Sequence, residues 1–179
     1  MLLPVLKPRK FSQLFFRMVN YYQPQYIFEL GTSLGITSSY MASALPSAKV
    51  VTMEGAPAVA AVAKSNFKKL SLSNIQVVEG NFDATLPSVL QSTPSVGLAF
   101  VDGNHRKGPT LQYFEQLLNK ANDNSILIFD DIHWSREMEE AWASIQSHPR
   151  VTLTIDLFFI GIIFFRKEQK AKQHFIVRF

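Results

Sequence analysis

The chain of 179 residues contains no cysteine. This excludes a disulfide framework, a thiolate metal site and a cysteine nucleophile, and it makes the reducing cytoplasm the expected compartment. Long hydrophobic runs are also missing. The longest, Leu157 to Phe165, is too short to cross a bilayer as a helix, so no membrane partner is expected. Met1 to Leu6 is interrupted by Pro4 and followed by basic residues instead of a cleavage site, so it does not read as a signal peptide. No repeat, low-complexity tract or linker divides the chain. A single domain over 1–179 is therefore expected, with an N-terminal segment and helix (1–24), a core (25–165) and a basic tail (166–179). Acidic residues are outnumbered, 14 against 18 Lys and Arg, for a formal charge of +4. Such a charge could favour an anionic acceptor or nucleic acid, but much of the excess sits in Lys7 to Lys10 and Arg166 to Arg178, which reads as solubility and tail charge, and no nucleic-acid partner is expected.

The composition, 47% hydrophobic, fits a folded α/β protein. Phe11, Leu14, Phe15, Met18 and Tyr22 recur at helical spacing over about Pro8 to Tyr22. Apolar strands then alternate with amphipathic helices: strands at Gln25–Leu30, Lys49–Met53, Ile75–Glu79, Val96–Val101 and Ile126–Phe129, helices at Thr37–Leu45, Pro57–Leu70, Leu86–Gln91, Thr110–Ala121 and Ser135 to about Ser147. Such alternation predicts a doubly wound, mostly parallel sheet. The pattern breaks near the end. Val151–Ile155 and Phe159–Phe165 are too close for a parallel crossover and must pair as an antiparallel hairpin.

The run Tyr26-Ile27-Phe28-Glu29-Leu30-Gly31-Thr32-Ser33-Leu34-Gly35 joins the first of these strands to a helix. Its glycines allow a left-handed turn and close approach by a ligand. The next strand ends in Glu54-Gly55, about 20 residues on, where a dinucleotide-type site places the acid that grips a ribose diol. Loop and acid together predict an adenosine cofactor. A pyrophosphate fingerprint needs a glycine where this chain has Ser33, and Glu29 would repel phosphates but suit an ammonium or sulfonium. S-adenosylmethionine carries both cations and no phosphate.

At these residues the chain resembles the class I S-adenosylmethionine-dependent methyltransferases. Glu29-Leu30-Gly31-Thr32-Ser33-Leu34-Gly35-Ile36-Thr37-Ser38 is similar to the first motif of the catechol-type and related small-molecule O-methyltransferases. The resemblance implies a seven-stranded Rossmann-like sheet of order 3-2-1-4-5-7-6 with the hairpin at its end. It implies cofactor contacts from Glu29, Gly31, Thr32, Ser33, Gly35, Thr37, Glu54 and Gly55. The loop Glu79-Gly80-Asn81-Phe82-Asp83 would add Phe82 on the adenine face and Asp83 or a nearby backbone group at its amino group; otherwise it is a polar turn.

Two further strand ends carry chemistry. In Val101-Asp102-Gly103-Asn104-His105 the pattern lacks the paired prolines of base-directed amine methyltransferases, which argues against base methylation. In the catechol-type pattern the aspartate binds a divalent metal and the residue three positions on is a lysine base; His105 stands there instead. Histidine titrates near ~6.5 against ~10.4 for lysine, so a histidine can accept a proton at neutral pH. The alternative is a loop-stabilising hydrogen bond. In Asp130-Asp131-Ile132-His133-Trp134 the family pattern is Asp-Asn, and Asp102, Asp130 and Asp131 could bind Mg²⁺ or another divalent cation. Otherwise Asp130 closes the cofactor site and Asp131 caps a turn. His105, Asp102 and Asp130 are thus the catalytic candidates. Trp134 and Trp142 read as core or pocket wall.

The expected activity is methyl transfer to an oxygen of a small or medium-sized acceptor, by in-line attack on the sulfonium methyl with proton removal by a base or metal. A non-catalytic cofactor-binding module and a nicotinamide-dependent oxidoreductase are the alternatives, the latter disfavoured by Ser33 and the hairpin. Only about 25 residues precede the glycine motif, whereas the family often caps its acceptor pocket with N-terminal helices. The acceptor site is therefore expected to be open, to borrow a cap from a partner in a homodimer, or to lack residues.

Overall fold

The computed structural model describes residues 8–179. The readings made above for Met1 to Leu6 and for Lys7 lie outside the described residues. The elements follow in the order α1 (Arg9–Tyr22), β1 (Tyr26–Leu30), α2 (Ile36–Ala44), β2 (Lys49–Glu54), α3 (Pro57–Lys69), β3 (Ile75–Glu79), α4 (Phe82–Gln91), β4 (Val96–Val101), α5 (Lys107–Leu118), β5 (Ala121–Asp130), α6 (Arg136–Ser147), β6 (Leu153–Asp156), β7 (Ile160–Phe164) and β8 (Gln173–Ile176). They form one sheet of order β3-β2-β1-β4-β5-β7-β6-β8. The strands from β3 to β5 pair in parallel, and β7 runs antiparallel to both β5 and β6. The expected order and hairpin are both present.

The sheet is apolar on both faces because helices cover both. On β1, Phe28 and Leu30 join Tyr113, Phe114, Leu127 and Trp142 on the α4–α6 side. Ile27 points the other way, into a cluster with Phe11, Phe15, Val19, Met41 and Phe100 beneath α1 and α2. Burying each such large side chain contributes about 1.5–3 kcal/mol, so a one-residue slip of β1 would be costly. Buried Glu29 lies on the Ile27 face, the one charged residue of that strand.

Several boundaries differ from the sequence expectation. Helix α4 starts at Phe82 instead of Leu86, because the Asn81 side chain accepts the Asp83 N–H as an N-cap. Helix α5 starts at Lys107, before Pro109, which sits in the first turn where no intrahelical N–H bond is needed. The largest difference is in the basic tail: Gln173–Ile176 forms β8, parallel to β6. Every residue of β8 is exposed, so no hydrophobic alternation marks it in the sequence. Backbone bonds from Gln173 N–H to Thr152 O (3.0 Å) and Val177 N–H to Asp156 O (2.8 Å) hold its ends. Among the described residues, no helix is long and apolar enough to cross a membrane.

Strand order reverses between β1 and β4, the topological switch point at which open α/β sheets bind ligands. Leu30 is in register with Val101, and Val101 with Phe129. The residues that follow, Gly31, Asp102 and Asp130, are therefore brought side by side at the carboxyl edge.

Candidate active site

The glycine loop is built from below by hydroxyls. Glu29 is 1% exposed, and its Oε2 accepts from Ser38 Oγ of α2 and, at 2.6 Å, from Thr52 Oγ1 of β2. Because the Thr52 proton is committed to the carboxylate, Thr32 Oγ1 must donate to Thr52 across 2.6 Å. The N–H groups of Gly31 and Thr32 both reach Met53 O at 3.0 Å. Glu54 completes the loop from the side, accepting from Ser33 N–H (2.9 Å) and from Ala56 N–H (3.0 Å). Gly31 and Gly35 adopt φ of 103° and 78°; Gly35 precedes α2 and packs against the Phe67 ring.

Beside this loop lies a cavity of about 440 Å³, a size that suits a small ligand. Gly31, Thr32, Ser33 and Thr37 line one side, and Asp102, His105, Asp130 and Asp131 line the floor. Asp130 is buried, whereas Asp102, His105 and Asp131 are about one-third exposed. His105 Nε2 lies 3.8 Å from Asp102 Oδ1 and 3.7 Å from Asp131 Oδ2. These distances exceed hydrogen bonding but place one imidazole between two carboxylates. Among the described residues neither lysine nor arginine lines the cavity, and His105 is the one lining side chain there able to become cationic. The loops around it hold uncommon backbone: Asn104 at φ 57° and Asp131 at φ 52°, residue types that tolerate the left-handed region.

A second polar link supports the His105 loop. Tyr113 of α5 is fully buried, donates to Asp83 Oδ1 at 2.8 Å and accepts from Asn104 Nδ2 at 3.1 Å. Burial pushes its hydroxyl up from the ordinary tyrosine value; Asn104 opposes that and Asp83 adds to it. Phe82 packs edge-on to the Tyr113 ring, at 6.2 Å, and so closely on Gly103 that a Cβ there would lie 2.6 Å from its ring. The first turn of α4 and the His105 loop are thus tied through one phenol.

The cavity brings together eight of the expected site residues: Gly31, Thr32, Ser33, Thr37, Asp102, His105, Asp130 and Asp131. Glu54, Gly55, Phe82 and Asp83 lie outside it along the same strand-end edge, and Gly35 is buried at the start of α2. Glu29 sits one layer beneath the loop, spent on Ser38 and Thr52. Among the described residues, no three His, Cys, Asp or Glu side chains are grouped closely enough to hold a metal ion. With His105 between Asp102 and Asp131, the carboxylates as arranged do not fit a three-ligand cation site.

Apart from Trp134, expected as core or pocket wall, the far wall was not foreseen in the sequence. Pro8, Phe11 and Ser12 at the start of α1, with Leu34, Ile36, Trp134 and Phe159, make it apolar. One signal could have placed Phe159: an antiparallel β7 must begin where β5 ends, and Ile160 is indeed in register with Asp130.

Known proteins share this fold. Residues 28–132 match a family model described as a methyltransferase domain. A catechol O-methyltransferase of Niastella koreensis is 30% identical over 126 residues, covering 69% of this chain and 55% of that protein. The chain thus spans little more than half the length of that curated relative. The O-methyltransferase TomG from Streptomyces achromogenes, solved in complex with SAM, superposes with a TM-score of 0.80 at 20% identity over 92% of this chain and 83% of that one. An O-methyltransferase from Bacillus cereus, solved in complex with SAH, gives 0.75 at 21% identity over 89% and 82%. At such identities the two structures establish a common fold.

Proposed function

Because the chain belongs to the methyltransferase-domain family, we propose that it transfers the methyl group of S-adenosylmethionine to an oxygen of a small or medium-sized acceptor. The observation that carries this reading is the single cavity with the glycine loop on one side and His105, flanked by Asp102 and Asp131, on the other. Gly31, Thr32, Ser33 and Thr37 would hold the amino-acid end of the cofactor, Glu54 and Gly55 the ribose, and Phe82 and Asp83 the adenine. Glu29 acts through the loop it anchors. When bound, the cofactor supplies an electrophilic methyl group on a sulfonium. His105 accepts the acceptor's hydroxyl proton at Nε2, and the two carboxylates stabilise the imidazolium that results. Asp130 closes the floor. The apolar wall aligns the acceptor, and alignment of this kind supplies about 7–11 kcal/mol in favourable cases. The cytoplasm is the proposed compartment, and a second copy covering the rim at Trp134 and Phe159 is the proposed cap.

Calorimetry with S-adenosylmethionine, its demethylated product S-adenosylhomocysteine and NAD tests the cofactor. The first two should bind and NAD should not. Glu54→Ala should weaken binding by roughly 1.5–3 kcal/mol, the scale of a lost charged hydrogen bond. Tight NAD binding with no response to S-adenosylmethionine would sink the assignment, and binding without turnover of any hydroxylated acceptor would leave a binding module.

The proton route has its own test. With His105 as base, turnover should persist in excess chelator, and Asp131→Asn should lower it, because one of the two carboxylates that stabilise the imidazolium is then neutral. Loss of turnover in chelator with recovery on adding Mg²⁺ would move proton removal to a cation held by Asp102, Asp130 and Asp131.

A further inference from the structure

The two most exposed large hydrophobic side chains of the cavity wall come from different loops: Trp134, 74% exposed, after β5, and Phe159, 51% exposed, in the turn between β6 and β7. Residues 131–135 join β5 to α6, and residues 157–159 join β6 to β7. Behind the wall, outside the cavity, one buried carboxylate joins them. Asp156, at the end of β6, accepts the Phe158 N–H on Oδ1 at 2.8 Å and meets His133 Nε2 on Oδ2 at 2.7 Å. A carboxylate can only accept, so His133 Nε2 carries the proton and donates. His133 is the residue before Trp134, whose N–H closes the loop on Asp131 O at 2.9 Å.

The apolar contacts run the same way. The His133 ring lies over Phe158 at 5.7 Å with planes 33° apart. Phe158 meets Phe159 edge-on at 5.2 Å, and Phe159 meets Phe11 of α1 edge-on at 6.1 Å. Phe158 is held at φ 71°, a strained conformation for a bulky residue that persists only where surroundings impose it. The Asp156 side chain and the backbone bond from Leu157 N–H to Ile160 O (2.9 Å) impose it here. A continuous line of contact therefore runs from Trp134 through His133, Asp156, Phe158 and Phe159 to Phe11.

We propose that the His133–Asp156 pair is a strut that sets the spacing of Trp134 and Phe159, and so determines which acceptors the wall admits. Both are positioning residues that touch neither acceptor nor cofactor. The inference rests on the methyltransferase reading for its consequence in turnover, but not for the strut itself.

The test compares the parent with His133→Ala, His133→Gln and a control, His174→Ala, on the neighbouring exposed strand β8. Hydrogen exchange needs no ligand. In His133→Ala, exchange should rise roughly tenfold at residues 156–160 as well as 131–135, while β1 and β4 keep parental rates. Gln, whose amide can still donate, should restore most of the protection, and His174→Ala, which loses only its bond to Thr154 Oγ1, should leave residues 131–135 and 157–160 at parental rates. In turnover of catechol against 4-tert-butylcatechol, His133→Ala should raise catechol KM by about tenfold with kcat within about twofold. The preference between the two acceptors should shrink, and affinity for S-adenosylhomocysteine should stay at the parental value. Parental exchange at 156–160 in His133→Ala, or a uniform rise along the whole chain, overturns the strut. If neither phenol is methylated by the parent, the substrate reading fails in that arm and the exchange arm still decides the strut. Should His133→Ala not fold, Asp156→Asn keeps an acceptor for the turn, removes the charged partner and is read in the same way.

Discussion

His105→Gln lowers the rate of methyl transfer by about 10²–10⁴, the usual contribution of a general base, and leaves affinity for S-adenosylhomocysteine nearly unchanged. The expectation rests on position. His105 is carried by the loop after β4, on the cavity floor, with its Nε2 3.8 Å from Asp102 and 3.7 Å from Asp131. The loop is fixed from behind by the bond between Asn104 and Tyr113, so the substitution removes a proton acceptor without releasing the backbone. Glutamine keeps the bulk and one polar end but cannot take up a proton. The cofactor side of the cavity, Gly31 to Thr37, is on another loop and keeps its own bonds to Met53, Thr52 and Glu54. The measurement is rate against pH for parent and variant with a phenolic acceptor, beside calorimetry with the demethylated cofactor. The variant should run below the parent across the whole range. Equal rates across the whole range would make the histidine a structural residue and pass the proton to another group.

How much of this could be read beforehand depends on whether the deciding contacts are local. The parallel sheet followed from the strand–helix alternation and the hairpin from the short final connection, both local patterns, whereas the strand order came from the resemblance carried by the glycine loop. The strand ends could be placed at one edge because parallel strands align their carboxyl ends, which put Gly31, Asp102 and Asp130 together. The depth of Glu29 could not be read: its partners Ser38 and Thr52 lie 9 and 23 residues away, and only the fold brings their hydroxyls beneath the loop. Asp83 is similar, since its tyrosine partner is 30 residues on. The apolar wall is assembled from α1, the loop after β5 and the β6–β7 turn, and no segment alone shows that it faces a cavity. Strand β8 was missed for a different reason. It is wholly exposed, and edge pairing leaves no trace in hydrophobic periodicity. The adjacent aspartates pointed to a cation, whereas the fold sets an imidazole between Asp131 and Asp102.

Gly31→Ala should abolish cofactor binding and destabilise the fold by about 2–6 kcal/mol, the sum of roughly 1–3 for backbone strain and roughly 1–3 for overpacking. A methyl group at position 31 would lie 2.0 Å from the Asp102 carbonyl oxygen, far inside van der Waals contact. The obstacle is backbone, so no rotation of a side chain relieves it. Moving the backbone is also resisted, because Asp102 N–H donates to Leu30 O at 2.8 Å and β1 is locked in register with β4. The φ of 103° adds strain for any residue with a Cβ. Any shift that makes room moves Asp102 and the Gly31–Ser33 turn together, so the loss falls on both the cofactor loop and the floor. Gly35→Ala is the informative comparison. Its φ of 78° carries similar strain, but the obstructing atoms at 2.5 Å belong to the Phe67 ring, a side chain that can give way. Thermal unfolding and calorimetry with S-adenosylhomocysteine should therefore rank Gly31→Ala well below Gly35→Ala, with the parent highest. Parental affinity in Gly31→Ala would mean that the loop can open away from β4, and that its close approach to Asp102 is not what forms the cofactor site.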